Sequence, residues 1–235
     1  MNIQDYEAKI KELKFQEFPF FITGAERQLG SFIEFEKTDL DLKLRLAKVV
    51  ICRCFSPTGG IYWPADVDWF ITNANTGFER DFNKPWITST IKRAFEMIMS
   101  VDDMTDGVIA TTFMFGVIEF YAKTKLGWES YKRDFFDDNY NAPFREMYIG
   151  SAIQRVKKTK CDLARSLNEI DKHNERRLKD SGIAEERFTK AKIADRLTLA
   201  RNTMAHGENH SFYDKGKYLM MLYFLFYYHD LKEKV

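Results

Sequence analysis

Glycine and proline are scarce in this chain, 12 and 5 of 235 residues. That scarcity argues against many short strands joined by tight turns and favours helices. Cysteine is scarcer still. The three thiols, Cys52, Cys54 and Cys161, are odd in number, and the Cys52-x-Cys54 spacing fits neither a usual metal site nor a redox pair. A reduced, cytoplasmic compartment is therefore the simplest expectation. Long apolar runs are missing too. The longest, Tyr218 to Tyr228, has 11 residues, against the roughly 20 that a membrane-spanning helix needs. The opening stretch MNIQDYEAKIKELKF has no apolar signal core, so neither export nor a membrane span is expected. Internal repeats and low-complexity tracts are absent as well.

What is present suits a large packed domain. Hydrophobic residues make up 45% and charged residues 30%, a balance that excludes intrinsic disorder. With 21 Phe and 11 Tyr, aromatic side chains should fill much of the core. The formal net charge is only +1 but is unevenly spread. Residues 1–150 carry a net −5. Residues 151–201 hold 14 basic against 8 acidic side chains, and residues 202–235 are balanced. A local positive excess suits a phosphate-bearing partner, although solvated helix faces also account for it.

Apolar spacing predicts a succession of helices. Ile3, Tyr6, Ile10 and Leu13 share one face, and Leu29, Phe32, Ile33 and Phe35 suggest a short second element. Over 40–55, strand-like alternation competes with a helical stripe through Leu40, Leu44, Ala47 and Ile51. Run length and the capping residues Thr38 and Asp39 favour the helix. SPTGG at 56–60 is a break. Pro64 suits the start of a helix over Asp66–Asn73, and Pro85 opens a stronger one ending near Asp102 and Asp103. Residues 106–126 read as a helix apolar on nearly every side, buried in a bundle or at a subunit interface. Its one internal carboxylate, Glu119, should face an Arg or lie at an edge, since burying it unpaired is costly. Residues 128–143 read as irregular. Residues 150–180 read as a long charge-rich helix with a narrow stripe (Ile153, Val156, Leu163, Leu167, Ile170, Leu178), its spacing that of a helical hairpin or a short coiled-coil seam, ended by Gly182. A helix over 184–205 should turn Ile193, Leu197, Ala200 and Met204 inward. A polar loop leads to a last helix, Lys217–Leu231, so apolar that it should be the central one. The expected fold is all-α: a helical bundle over 85–235, with residues 1–84 as an N-terminal extension packed on it.

One stretch, LTLARNTMAHGENH at 197–210, carries residues suited to chemistry. Arg201, Asn202 and His206 form an RN-x-x-AHG pattern at a helix end. This pattern resembles the HEPN superfamily, as do the amphipathic helix before it, the apolar helix after it and the earlier helix bearing Glu119. The resemblance covers residues 85–235. It implies an endoribonuclease that needs no metal or other cofactor, working as a homodimer whose two motifs face one composite cleft. RNA would be the substrate, with His210 and Lys215 beyond the motif as further substrate contacts and Glu119 in support. The resemblance further implies a toxin–antitoxin or antiphage setting, with an antitoxin protein as a second partner. No membrane partner is expected.

The same chemistry follows from the residue types. RNA is cut without metal when the ribose 2′-OH attacks the adjacent phosphate. The proton transfers suit an imidazole, whose ordinary pKa is about 6.5. The charge built up on phosphorus suits a guanidinium, permanently charged and forked. His206 would be the general acid/base, Arg201 the transition-state stabiliser and Asn202 a positioning group. Arg201 and His206 lie about 140° apart on an ideal helix, so they meet only if the helix loosens at Gly207 or two copies combine. The apolar last helix offers part of such an interface.

Plainer readings stand beside this one. His206 can serve the final helix carbonyls, and Arg201 can pair with Glu119 or another acid. The module can bind RNA, a nucleotide or a protein without cutting. A zinc site at His206 and His210 is disfavoured by Gly207 and Asn209 and by the order HGENH. His173 and His229 read as surface or packing residues, and Asp102, Asp103 and Asp106 as caps.

Overall fold

The computed structural model describes residues 39–54, 65–76, 85–100, 104–127, 147–182, 192–205 and 212–234. Among them are eight helices and no strand: α1 (Leu40–Arg53), α2 (Ala65–Thr76), α3 (Pro85–Met99), α4 (Met104–Lys125), α5 (Ile149–Val156), α6 (Asp162–Asp180), α7 (Ile193–Ala205) and α8 (Phe212–Lys234). The fold is all-α. The helices expected at residues 3–14 and 29–35, and the irregular stretch at 128–143, lie outside the described residues.

Helix α8 is the hub. Every residue from Tyr218 to His229 is buried, and the helix packs against α1, α2, α3, α4 and α6. Its aromatic rings meet those of its neighbours edge to face. Tyr223 lies 5.6 Å from Tyr121 of α4 and 5.5 Å from Phe95 of α3, and Phe224 lies 5.9 Å from Phe70 of α2. Edge-to-face pairs are favoured by the ring quadrupole. The apolar surface that the sequence offered for joining two copies is thus spent inside one chain. At the start of α8 the packing is closest: a Cβ on Gly216 would stand 2.6 Å from Thr111 Oγ1 and 2.9 Å from Ile98 Cγ2. Any side chain at 216 would run into those of Thr111 and Ile98, so the absence of a Cβ lets α8 seat against them.

Ion pairs tie the outer helices to this hub: Lys232 to Asp41 of α1 at 2.5 Å, Lys217 to Asp68 of α2 at 2.9 Å, and Lys125 of α4 to Asp230 and Glu233 at 2.5 Å each. Helix α1 begins as its sequence suggests, with Asp39 Oδ1 accepting the Leu42 amide at 2.7 Å. Its Leu46 and Ile51, with Phe70 of α2, are buried in the same core as the later helices. Helix α4 is less enclosed than its composition implies, because Ile109, Thr112, Phe113 and Gly116 are exposed. Among the described residues no helix is long and apolar enough to cross a membrane.

One expectation fails. Residues 150–180 do not form a single helix but two, α5 and α6, separated at 157–161. The stripe residues named for it are all buried, so the apolar period holds across a break that it does not register. Side chains of the break residues capture the backbone instead. The Thr159 hydroxyl donates to Val156 O at 2.8 Å, Asn168 Nδ2 donates to Lys157 O at 2.9 Å, and Cys161 Sγ accepts the Ala164 amide at 3.4 Å as the cap of α6. Such local bonds compete with helix continuation. Gly182, at φ +67°, ends α6 in the left-handed region as expected.

Candidate functional site

Helix α7 carries the first part of the motif, and two devices fix its position. The first is a close approach to α5. A Cβ on Gly150 would overlap Thr198 Oγ1 and stand 3.0 Å from the Ala194 carbonyl, so glycine is needed there. The two helices run antiparallel: Gly150 meets 194 and 198, and Tyr148 meets Arg201. The second device is Asp171 of α6, 4% exposed. One carboxylate oxygen, Oδ1, accepts the Ile193 amide at 2.9 Å and so caps α7 from another helix. The other takes the Lys157 ammonium. Burial raises the Asp171 pKa above the ordinary carboxylate value, while the bonds from Lys157 and the Ile193 amide pull it back.

Ile193, Leu197 and Ala200 face inward as expected, and Met204 is half-buried against the core. Arg196, singled out by nothing in the sequence, is 7% exposed on the inner side. Burial lowers its pKa.

Arg201 is half-buried, and its guanidinium carbon lies 4.6 Å above the centre of the Tyr148 ring. That is a cation–π contact. Arg201 makes no ion pair among the described residues. Asn202, next along, is exposed. Glu119 is not its partner: that carboxylate accepts Lys123 Nζ at 2.7 Å, one turn along α4, at a half-exposed edge, the second of its two expected settings. Lys215 lies in the first turns of α8 and is only 8% exposed. It is therefore not part of the exposed surface that holds Asn202. His206 and His210 lie outside the described residues. Of the motif, only Arg201 and Asn202 lie among the described residues, and Arg201 is joined by Tyr148, which is 55% exposed. No periodicity marks Tyr148, since its contact joins two residues far apart in the chain.

The remaining histidines are packing groups. His229 is 4% exposed, and its Nε2 lies 3.0 Å from Ser166 Oγ. Burial lowers its pKa to about 4, and His173 is lowered to about 4 for the same reason. Among the described residues no group of three or more His, Cys, Asp or Glu side chains is placed to hold a metal ion.

The chain matches no protein-family model, no curated protein and no solved structure.

Proposed function

We propose that the chain is a metal-independent endoribonuclease of HEPN type, with Arg201 stabilising the charge on the phosphate, His206 moving the protons and Asn202 positioning the group attacked. The observation that carries this reading is the state of Arg201. A guanidinium tied to carboxylates would be a structural strut. This one rests on an aromatic face beside an exposed Asn202, with no ion pair among the described residues. An exposed cation–π contact is worth about 0.5–1 kcal/mol, little enough for a phosphate to draw the charge away. The basic excess of residues 151–201 supports a polyanionic substrate. A homodimer would bring two such motifs to one cleft, and an antitoxin protein would restrain it in a toxin or antiphage setting.

A second reading, an RNA-, nucleotide- or protein-binding module of the same type that does not cut, is favoured by the burial of α8. The helix expected to join two copies is enclosed by its own chain, so a composite cleft would need another surface.

The test is incubation of the purified protein with mixed RNA in EDTA, beside Arg201→Ala and His206→Ala. Cleavage by the wild type that both substitutions abolish is the expected result. Cleavage that survives both overturns the catalytic assignment. Binding that depends on Arg201 without any cleavage selects the second reading.

A further inference from the structure

We propose that the outer face of α5, from Tyr148 to the turn before α6, is a docking strip that leads single-stranded RNA to Arg201 and Asn202. The proposal rests on the functional reading above for the fate of the strand, but its own support is separate.

Three cations, Arg155, Lys158 and Lys160, are exposed along this strip, and none forms an ion pair among the described residues. Some exposed cations elsewhere on the described surface are paired, as Arg93 is with Glu96 at 3.0 Å and Arg165 with Asp162 at 3.2 Å. Among the described residues these three cations, by contrast, have no carboxylate paired with them. The carboxylate nearest in α7, Asp195, is half-buried, with Gln154 Nε2 3.5 Å from its Oδ1.

The strip has direction. Tyr148 caps the start of α5 and Lys158 follows its end, so they lie at opposite ends of an eight-residue helix about 12 Å long, with Arg155 in its last turn. One end is the basic turn at 157–160. The other is the exposed Tyr148 ring with the Arg201 guanidinium above it. Cations followed by an accessible aromatic face suit a strand whose phosphates lie on the basic end and whose base stacks at the other. A duplex hides its base faces and has no use for Tyr148. An acidic peptide would satisfy the cations but not the ring. The close approach at Gly150 fixes the strip against α7, so a strand held on α5 is delivered at a set distance from Arg201.

The experiment uses the full chain and a fluorescently labelled 12-nucleotide 2′-O-methyl RNA, which lacks the attacking hydroxyl, read by anisotropy. Cleavage of unmodified RNA in EDTA is followed in parallel. Tyr148→Leu should weaken binding on the order of tenfold, and Tyr148→Trp should restore it. In the combined Arg155→Gln, Lys158→Gln, Lys160→Gln protein the slope of log affinity against log salt should be shallower by about 2, since each neutralised phosphate of a single strand contributes roughly 0.7. All four side chains are exposed, so folding should survive. If Tyr148→Leu does not fold, the glutamine variant decides alone. Wild type that cuts through Arg201 while these variants bind unchanged overturns the strip and leaves the nuclease. Strip-dependent binding without cleavage supports the strip and overturns the nuclease. Failure of the wild type to bind the single strand, or equal variant-sensitive binding of duplex RNA or a poly-glutamate peptide, overturns the strip.

Discussion

Replacing Asp171 should damage the protein in two separable ways. Its carboxylate caps α7 through the Ile193 amide at 2.9 Å and neutralises Lys157, whose side chain is 14% exposed. Asp171→Ala removes both. The buried Ile193 amide then has no acceptor, which costs about 1–3 kcal/mol. Breaking a fully buried ion pair costs about 3–5 kcal/mol, but Lys157 retains a route to solvent, so the lower half of that range applies. The total should be about 4–7 kcal/mol, a large share of a typical stability of about 5–15 kcal/mol. Asp171→Asn keeps an oxygen for the amide and loses only the charge, so it should cost about half as much. Urea denaturation followed by circular dichroism gives both values. Hydrogen exchange at residues 193–197 localises the cap, since only the alanine variant should accelerate exchange there beyond its global loss. If the two variants fall within about 0.5 kcal/mol of wild type, or if exchange in α7 is unchanged in Asp171→Ala, the remote cap is not what orders this helix.

Stability should also fall in mild acid. His229 has a folded pKa of about 4 against an ordinary 6.5, so above about pH 6.5 neither state is protonated and the group contributes no difference. As pH falls from 6.5 to 4 the unfolded chain takes the proton first. His229 should remove about 2 kcal/mol by pH 5, and the gap between urea midpoints at pH 7.5 and 5 should narrow in His229→Gln, the rest of it coming from His173, whose pKa is lowered alike. Gly150→Ala should destabilise by about 1–2 kcal/mol, the overlap with Thr198 outweighing the gain in helix propensity. Adding Thr198→Ala should recover part of that loss in thermal melts. Of the three thiols, Cys52 and Cys54 are buried, and burial pushes Cys52 up to about 12. A thiol reagent should therefore label Cys161 quickly in native protein and the other two only after unfolding.

The helices were legible where apolar spacing and caps agreed. Leu40, Leu44, Ala47 and Ile51, with Asp39 before them, specified α1 against a competing strand pattern. The apolar run at 218–228 identified the hub, because a helix with no polar face has nowhere to lie but inside. The break at 157–161 was not legible, since the buried stripe stays in register across it and the bonds that make it are short polar ones. At the candidate site, whose role is a proposal, Arg201 and Asn202 stood out by type and spacing. Tyr148 and Asp171 did not, because each acts through a contact between helices that no local pattern encodes. The last helix, expected to supply part of an interface, is covered over 218–229 by its own chain, because composition shows that a surface is apolar but not which surface covers it.

The burial of α8 at the centre of the bundle has a consequence for the order of synthesis. Its partners α1, α2, α3 and α4 all precede it, and α1 leaves the ribosome about 180 residues before α8 is complete. At about 5–20 residues per second, that leaves roughly 10–35 s in which the faces bearing Ile51, Phe70 and Phe95 have no final partner. The nascent chain must pass that interval as a set of unjoined amphipathic helices, open to chaperones and to one another. The core closes only when the last helix threads into it. A ribosome that stalls before residue 212 should therefore release a product that aggregates, not a smaller folded protein.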